Sequence, residues 1–151
     1  MLKNNFTKLL KSMRHLHTRQ NGKSTLDLTT DYYDLSADEF SDATKNLDVE
    51  HLYKPFLTRL PVGAKILDAG CGSGRDALAF KQRGFSVTAF DASAPLVDIA
   101  KKHSGIEVLQ MRFQDMHWRD EFDGIWACAS LLHVPKSEMD GVMEKIICAL
   151  K

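Results

Sequence analysis

Apolar residues follow two different periods along this chain, and the change of period separates helices from strands. Over residues 48–60 they recur every three or four positions, which predicts an amphipathic helix that Pro55 kinks or splits. Upstream, Ser36 and Glu39 have the spacing of a capping box and predict a helix start. From residue 64 onward, short apolar runs bounded by glycine or polar residues are typical of buried strands.

Strands and helices then alternate to the end of the chain. We predict strands at 64–69, 86–90, 106–111 and 122–128, and helices at 75–83, at about 93–102 and from Ser137 onward. In the last helix, Asp140 is expected to complete the cap, with Val142, Ile146, Ile147 and Leu150 pointing inward. This alternation predicts an α/β domain with a parallel sheet and right-handed crossovers.

Length and composition predict an ordinary globular domain. The chain has 151 residues, of which 44% are hydrophobic and 26% charged. Its three cysteines (Cys71, Cys128 and Cys148) lack metal-type spacing, so we expect reduced thiols, a cytoplasmic protein and no metal site. No apolar stretch is long enough to cross a membrane.

Charge is distributed unevenly along the chain, although the formal net charge is zero. Residues 1–26 contain six basic side chains and no acidic one, whereas all 20 acidic side chains follow. We therefore predict a basic, flexible extension over residues 1–29 and a folded domain over 30–151. The acidic body makes nucleic-acid binding unfavourable.

The run from Ile66 to Asp76 joins an apolar strand to a helix through three glycines in five positions. Glycine lets a backbone turn tightly or approach a ligand, and the amides of such a loop point to whatever lies above the strand end. A dinucleotide-binding turn has a third glycine where this chain has Arg75. The spacing therefore favours a nucleotide-like ligand without a pyrophosphate.

Other strand ends carry polar or small residues at the same edge of the predicted sheet. Asp91 follows the second strand, 21 residues after Gly70, where an acidic side chain holds ribose hydroxyls in nucleotide-binding folds. The segment 113–116 follows the third strand, and residues 127–130 end the fourth. Ligands of parallel sheets bind at this edge.

Together, these segments resemble the class I (Rossmann-like) S-adenosylmethionine-dependent methyltransferases over about residues 30–151. The likeness is greatest to small bacterial members of the tellurite-resistance-like type, in which a tyrosine-rich leader helix covers the cofactor. The resemblance implies a sheet of strand order 3-2-1-4 with helices on both faces. It also implies S-adenosylmethionine as cofactor and an acceptor that is a small molecule.

The resemblance further implies a cofactor role for individual residues. The backbone at Gly70, Cys71, Gly72 and Gly74 would approach the methionine moiety and the ribose. Asp68 would face the ammonium group, directly or through water, and Asp91 would hold the ribose diol. The adenine would be contacted by Ala92, Gln114, Asp115 and Met116, while Ala129 and Ser130 would wall the methionine side. Tyr32 and Tyr33 would close a lid over the bound cofactor.

Each of these residues also has a purely structural interpretation. Asp68 also suits an Asx bond to the backbone amides of the loop, and Asp91 also suits a cap of the helix that follows it. Asp115 also suits a surface turn, and Tyr32 and Tyr33 also suit ordinary packing. His133 is a candidate base because its ordinary pKa lies near neutrality, yet a histidine at a helix start is commonly structural. Methyl transfer itself needs mainly positioning and exclusion of water.

The chain departs from the family pattern at its C-terminal end. Family members continue into three further strands, so a C-terminally truncated domain with an open fourth-strand edge is expected, and such an edge favours a homodimer. Three functions stay open: a methyltransferase, a non-catalytic cofactor-binding remnant that needs a partner chain, and a nicotinamide-dependent oxidoreductase. Arg75 disfavours the last.

Overall fold

The computed structural model describes residues 25–151, with side chains from Leu28 onward. The helices are α1 (Thr25–Leu35), α2 (Ala37–Thr44), α3 (Glu50–Leu57), α4 (Arg75–Gln82), α5 (Ala94–Ser104) and α6 (Met139–Ala149). The strands are β1 (Lys65–Ala69), β2 (Ser86–Asp91), β3 (Val108–Gln110) and β4 (Gly124–Trp126). Short 3₁₀ turns occur at Phe113–Asp115 and Leu131–His133.

The four strands form one parallel sheet in the order β3-β2-β1-β4, which confirms the predicted α/β architecture. In its register Asp68 of β1 lies between Ala89 of β2 and Trp126 of β4. All four strands run in the same direction, so their carboxyl ends meet at one edge. Every candidate strand-end residue of the sequence is therefore carried to that edge or close to it.

Alternating side chains of the strands build a core on each face of the sheet. On one face, Leu67 and Phe90 pack in a cluster with Val142 of α6. On the other face, Ile66 packs with Phe80 of α4, and α5 adds a second cluster beside it. Helices therefore cover both faces, as the resemblance implied.

The helix starts differ from the predicted capping boxes. Ser36 is the N-cap of α2, but its hydroxyl donates to the Tyr32 carbonyl at 2.6 Å instead of accepting from the following turn. The same Tyr32 carbonyl, in the last turn of α1, also accepts from the Ser36 amide at 3.0 Å, so Ser36 closes the end of α1. The last helix begins at Met139 instead of Ser137, with no side-chain cap. Ile147, predicted to point inward, is 65% exposed.

The first described helix crosses the boundary predicted between residues 29 and 30. α1 begins at Thr25, so residues 25–29 belong to the folded part, while the rest of the predicted extension lies outside the described residues. α1 and α2 both contact α5, which fixes them beside the sheet. No helix of residues 25–151 has both the length and the apolar character that a membrane crossing requires.

β4 lies at the end of the described sheet, as predicted, but it is short. Just before it, Phe122 forms a parallel bridge with Leu150, and the Lys151 amide donates to the Phe122 carbonyl at 3.0 Å. The Lys151 ammonium also pairs with Asp123 at 2.9 Å. The beginning of this edge is therefore paired within the chain, and dimerisation through the rest of it stays a prediction.

Candidate functional site

A cavity of about 600 Å³ opens at the carboxyl ends of the strands. Its floor is the loop between β1 and α4, and its sides are the segments that follow β2, β3 and β4. Residues of α1 and α2, with the α2–α3 connection and the start of α3, cover it: Thr29, Thr30, Tyr33, Phe40, Thr44, Leu47, Val49 and Leu52. The cavity therefore lies where ligands of parallel α/β sheets bind.

Most of the predicted cofactor-binding residues line this cavity. They are Gly70, Cys71, Gly72, Asp91, Ala92, Gln114 and Ala129, and His133 and Ser130 join them. The other predicted residues lie outside the cavity walls: Asp68, Gly74, Asp115, Met116 and Tyr32. The cofactor roles of these five residues stay predictions, and for Asp68 the placement leaves the role through water.

The glycine loop brings its backbone close to the end of β4. Gly70 has a φ of 74°, and a Cβ built there would lie 2.4 Å from the Cβ of Ser130. The Ser130 hydroxyl donates to the Ala69 carbonyl at 2.7 Å, which holds the two segments together. Cys71 lies in this loop, and burial raises the pKa of its thiol, which suits a packing residue better than a nucleophile.

Asp91 combines a structural bond with a position at the cavity wall. One carboxylate oxygen accepts from the Gly72 amide at 2.8 Å, and the other accepts from the Ser93 amide at 3.0 Å. The N-cap of α5 is Ser93, whose hydroxyl accepts from the Leu96 amide, so Asp91 is not that cap. Burial raises the pKa of Asp91, although the backbone bonds oppose the rise. Each oxygen retains a lone pair for a further donor.

Asp68 lies beneath the glycine loop and is 2% exposed. Its Oδ2 atom has no hydrogen-bond partner in the described structure. Burial raises the pKa of this carboxyl well above its ordinary value, and the charge of Asp76 adds to the effect. Any interaction of Asp68 with a ligand in the cavity would therefore be indirect, through the loop or a bridging group.

The segment predicted to contact adenine lines the cavity only in part. Asp115 is half exposed and pairs with Arg112 at 3.2 Å, and Arg112 lowers the pKa of Asp115. Met116 is buried in the core. Gln114 does line the cavity: its amide nitrogen donates to Glu138 at 2.6 Å, and its buried oxygen lacks a partner in the described structure.

Sequence reasoning missed two residues that precede this segment. Met111 and Arg112 line the cavity directly after β3, which ends at Gln110, one residue earlier than predicted, and Phe113 of the predicted segment lines it beside them. The Met111 amide donates to the Asp91 carbonyl at 2.9 Å, which carries the β2–β3 pairing to the cavity. The sequence signal that could have identified these residues is their position directly after the third strand.

A tyrosine and a histidine from distant parts of the chain meet at the cavity cover. The Tyr33 hydroxyl lies 3.2 Å from Nε2 of His133, and their rings pack edge to face. Burial, followed by the charge of Asp91, raises the pKa of Tyr33 to about 12, so its hydroxyl stays protonated at neutral pH. Burial lowers the pKa of His133, so its imidazole is neutral there. Tyr32 instead packs edge to face on the Tyr33 ring.

Arg75 is a further cavity residue whose role the sequence did not indicate. It forms a bidentate pair with Asp76, with its Nε 2.6 Å and its Nη2 3.0 Å from the two carboxylate oxygens. Both residues line the cavity. In the sequence, Arg75 was notable only because it replaces the third glycine of a dinucleotide-binding motif. Among the described residues, no group of three or more histidine, cysteine or acidic side chains is arranged to hold a metal ion.

Fold and site together define a class: a parallel α/β domain with a nucleotide-type ligand cavity at its strand ends. Residues 66–151, more than half of the chain, match the family described as "Methyltransferase domain". The chain belongs to this family, the class I Rossmann-like S-adenosylmethionine-dependent methyltransferases.

Two curated relatives are O-methyltransferases by name. The mitochondrial ubiquinone biosynthesis O-methyltransferase of Schizosaccharomyces pombe is 37% identical over 94 residues, which are 56% of this chain and 34% of that protein. The magnesium-protoporphyrin O-methyltransferase of Rhodobacter capsulatus is 46% identical over 48 residues, 30% of this chain and 21% of that protein. The chain thus spans about a third or less of the length of these relatives.

Solved structures share the fold at low sequence identity. Magnesium protoporphyrin IX methyltransferase from Synechocystis PCC 6803, solved with bound S-adenosylmethionine, superposes with a TM-score of 0.69 at 17% identity, covering 88% of this chain and 75% of that one. A TehB-like methyltransferase from Corynebacterium glutamicum gives 0.66 at 24% identity, covering 81% and 67%. These likenesses support the Rossmann-like architecture.

Proposed function

We propose that this chain binds S-adenosylmethionine in the strand-end cavity and transfers its methyl group to an oxygen atom of a small-molecule acceptor. The observation that carries the proposal is the cavity itself, which the glycine loop and the Asp91 carboxylate both line. Family membership supports the cofactor, and the names of the two curated relatives support oxygen as the acceptor atom.

The residues present fit the cofactor. Asp91 retains acceptor capacity for a ribose diol, and the unpartnered oxygen of Gln114 suits an amino group such as that of adenine. Met111 and Phe113 offer apolar surface beside it. Gly70 and Gly72 line the cavity, and a glycine presents its backbone to a ligand without an intervening Cβ. When bound, S-adenosylmethionine supplies a methyl group on a positively charged sulfur.

Tyr33 and His133 are proposed to accept the proton of an acceptor hydroxyl. In the imidazole tautomer with the proton on Nδ1, the protonated Tyr33 hydroxyl donates to Nε2. An acceptor hydroxyl that binds to the Tyr33 oxygen would lose its proton to that oxygen as Tyr33 passes its own proton to His133. Residues of α1 and α2 line the cavity on this side, where they would shield the exchange from water.

Binding and transfer are tested separately. Isothermal titration calorimetry with S-adenosylhomocysteine is expected to show binding, whereas NAD is expected to show none. Incubation with methyl-labelled S-adenosylmethionine and matched pairs of phenols and anilines is then expected to label the phenols. Binding of NAD without binding of S-adenosylhomocysteine would refute the cofactor. Binding without transfer to any acceptor would instead support the non-catalytic alternative, and labelled anilines alone would refute oxygen as the acceptor atom.

We also propose a reducing, cytoplasmic setting. Cys71, Cys128 and Cys148 are all free thiols in the structure, and Cys71 and Cys128 line the cavity. Disulfides are rare in reducing compartments, which agrees with this arrangement. Localisation of the tagged chain in cell fractions tests the proposal, and recovery from an oxidising compartment would contradict it.

A further inference from the structure

Arg75 lies at the cavity wall and has no part in the cofactor contacts proposed above. It is the first residue of α4, directly after the glycine loop, and its side chain is 19% exposed at the cavity wall. Its Nη1 atom also lies 3.5 Å from the Thr44 carbonyl of α2, at the cover. A guanidinium has five N–H groups, so the bonds to Asp76 and Thr44 leave donor capacity at this wall.

Asp76 fixes the orientation of the Arg75 guanidinium. Besides Arg75, its carboxylate accepts from the Tyr53 hydroxyl at 2.6 Å and from the Trp126 indole at 2.8 Å. These donors belong to α3 and β4, so three elements converge on one carboxylate that is 6% exposed. Burial alone raises the pKa of Asp76, but Arg75, Tyr53 and Trp126 outweigh it and the net pKa is lowered. Asp76 is therefore ionised, and Arg75 has one fixed orientation.

Positive charge at the cavity is confined to two of its described lining residues, Arg75 and Arg112. Arg112 pairs with the half-exposed Asp115 on the side that follows β3. Arg75 instead lies beside the glycine loop and close to Cys128, next to Ala129 and Ser130 at the end of β4. An anionic group bound between the loop and β4 would therefore meet Arg75 and not Arg112.

We propose that Arg75, oriented by Asp76, Tyr53 and Trp126, binds the carboxylate at the amino-acid end of the cofactor and so selects ligands that carry it. This inference rests on the proposed function. Guanidinium–carboxylate bonds are charge-assisted and geometrically selective, and a preformed guanidinium loses little freedom on binding. Asp76 acts here as a positioning residue, because it contacts Arg75 and not the carboxylate.

The test compares two ligands that differ in one group. S-adenosylhomocysteine is titrated beside S-adenosyl-3-thiopropylamine, which is the same molecule without its carboxylate. Wild-type protein is expected to bind the first about 10-fold or more tightly than the second, the scale of a lost charge-assisted hydrogen bond. Equal binding of the two ligands would overturn the proposal, whereas binding of neither would refute the proposed function instead.

Three variants locate the selectivity on the protein. Arg75→Met is expected to lower the affinity for S-adenosylhomocysteine by about 10-fold or more while the decarboxylated ligand binds as before. Arg75→Lys should retain part of the preference because it retains the charge. Arg112→Met, the matched control at the same cavity, should keep the full preference. Loss of preference in Arg112→Met but not in Arg75→Met would overturn the assignment.

Tyr53→Phe tests positioning while both charges stay in place. It removes one of the donors that hold Asp76 and should lower the preference between the two ligands about 2- to 5-fold, the scale of one weakened hydrogen bond. A purely structural defect would weaken both ligands equally and leave their ratio unchanged. An unchanged ratio in Tyr53→Phe would refute the positioning role, and the wild-type ligand comparison holds even if a variant fails to fold.

Discussion

Replacement of Gly70 by alanine tests the geometry on which the whole site depends. The new Cβ would lie 2.4 Å from the Cβ of Ser130 and 3.0 Å from its Oγ. Ser130 cannot easily move away from the new Cβ, because its hydroxyl donates a hydrogen bond to the Ala69 carbonyl directly beside the loop. The φ of 74° is also a conformation that residues with a Cβ adopt at a cost.

The close contact with Ser130 and the left-handed backbone conformation should destabilise the variant by similar amounts. The left-handed conformation costs about 1–2 kcal/mol, and overpacking in a close contact costs about 1–3 kcal/mol. Gly70→Ala should therefore lower the free energy of unfolding by about 2–5 kcal/mol. Gly63 is a matched control, since its φ is 72° and a Cβ there would meet nothing within 4 Å. Gly63→Ala should cost only about 1 kcal/mol, because alanine also restricts the unfolded chain.

Urea unfolding followed by tryptophan fluorescence measures both values. A double variant, Gly70→Ala with Ser130→Gly, removes the opposing Cβ and should recover about 1–3 kcal/mol relative to the sum of the single changes. If Gly70→Ala destabilises no more than Gly63→Ala, the close approach of loop and β4 is wrong. Absence of coupling in the double variant would show that Ser130 is not the obstacle.

Three further predictions concern single carboxyls and the histidine. Asp91→Asn should weaken binding of S-adenosylhomocysteine by about 1–3 kcal/mol in calorimetry, and unchanged affinity would remove its ribose role. The fold raises the pKa of Asp68, so the protein should lose stability as the pH rises above the ordinary pKa of an aspartate. Asp68→Asn should therefore lose less unfolding free energy than wild type between pH 5 and pH 8. Parallel pH profiles of the two proteins would contradict this. His133→Asn should lower kcat about 10²- to 10⁴-fold with cofactor affinity unchanged. Because burial lowers the pKa of His133, wild-type activity should fall only below the ordinary histidine range, and a variant that retains this acidic limb would exclude His133 as the base.

Strand-end residues were predictable because short-range pattern determines them. A strand followed by closely spaced glycines, and an acidic residue at the end of the next strand, can be placed at one edge of a parallel sheet without coordinates. Gly70, Gly72 and Asp91 do line the cavity there. Asp115 and Met116 illustrate the limit: Asp115 pairs with Arg112 and Met116 lies in the core, and the packing of the turn after β3 decides both placements.

The sequence by itself determined the order of elements, the family and the loop that lines the cavity floor, because these depend on local periodicity and on glycine at positions of restricted space. Only the tertiary structure decided which side chains meet across long separations. Tyr33 reaches His133 across the cover, and Tyr53 and Trp126 converge on Asp76 behind Arg75. Such contacts depend on how helices pack against the sheet, and no local pattern of residues encodes that packing.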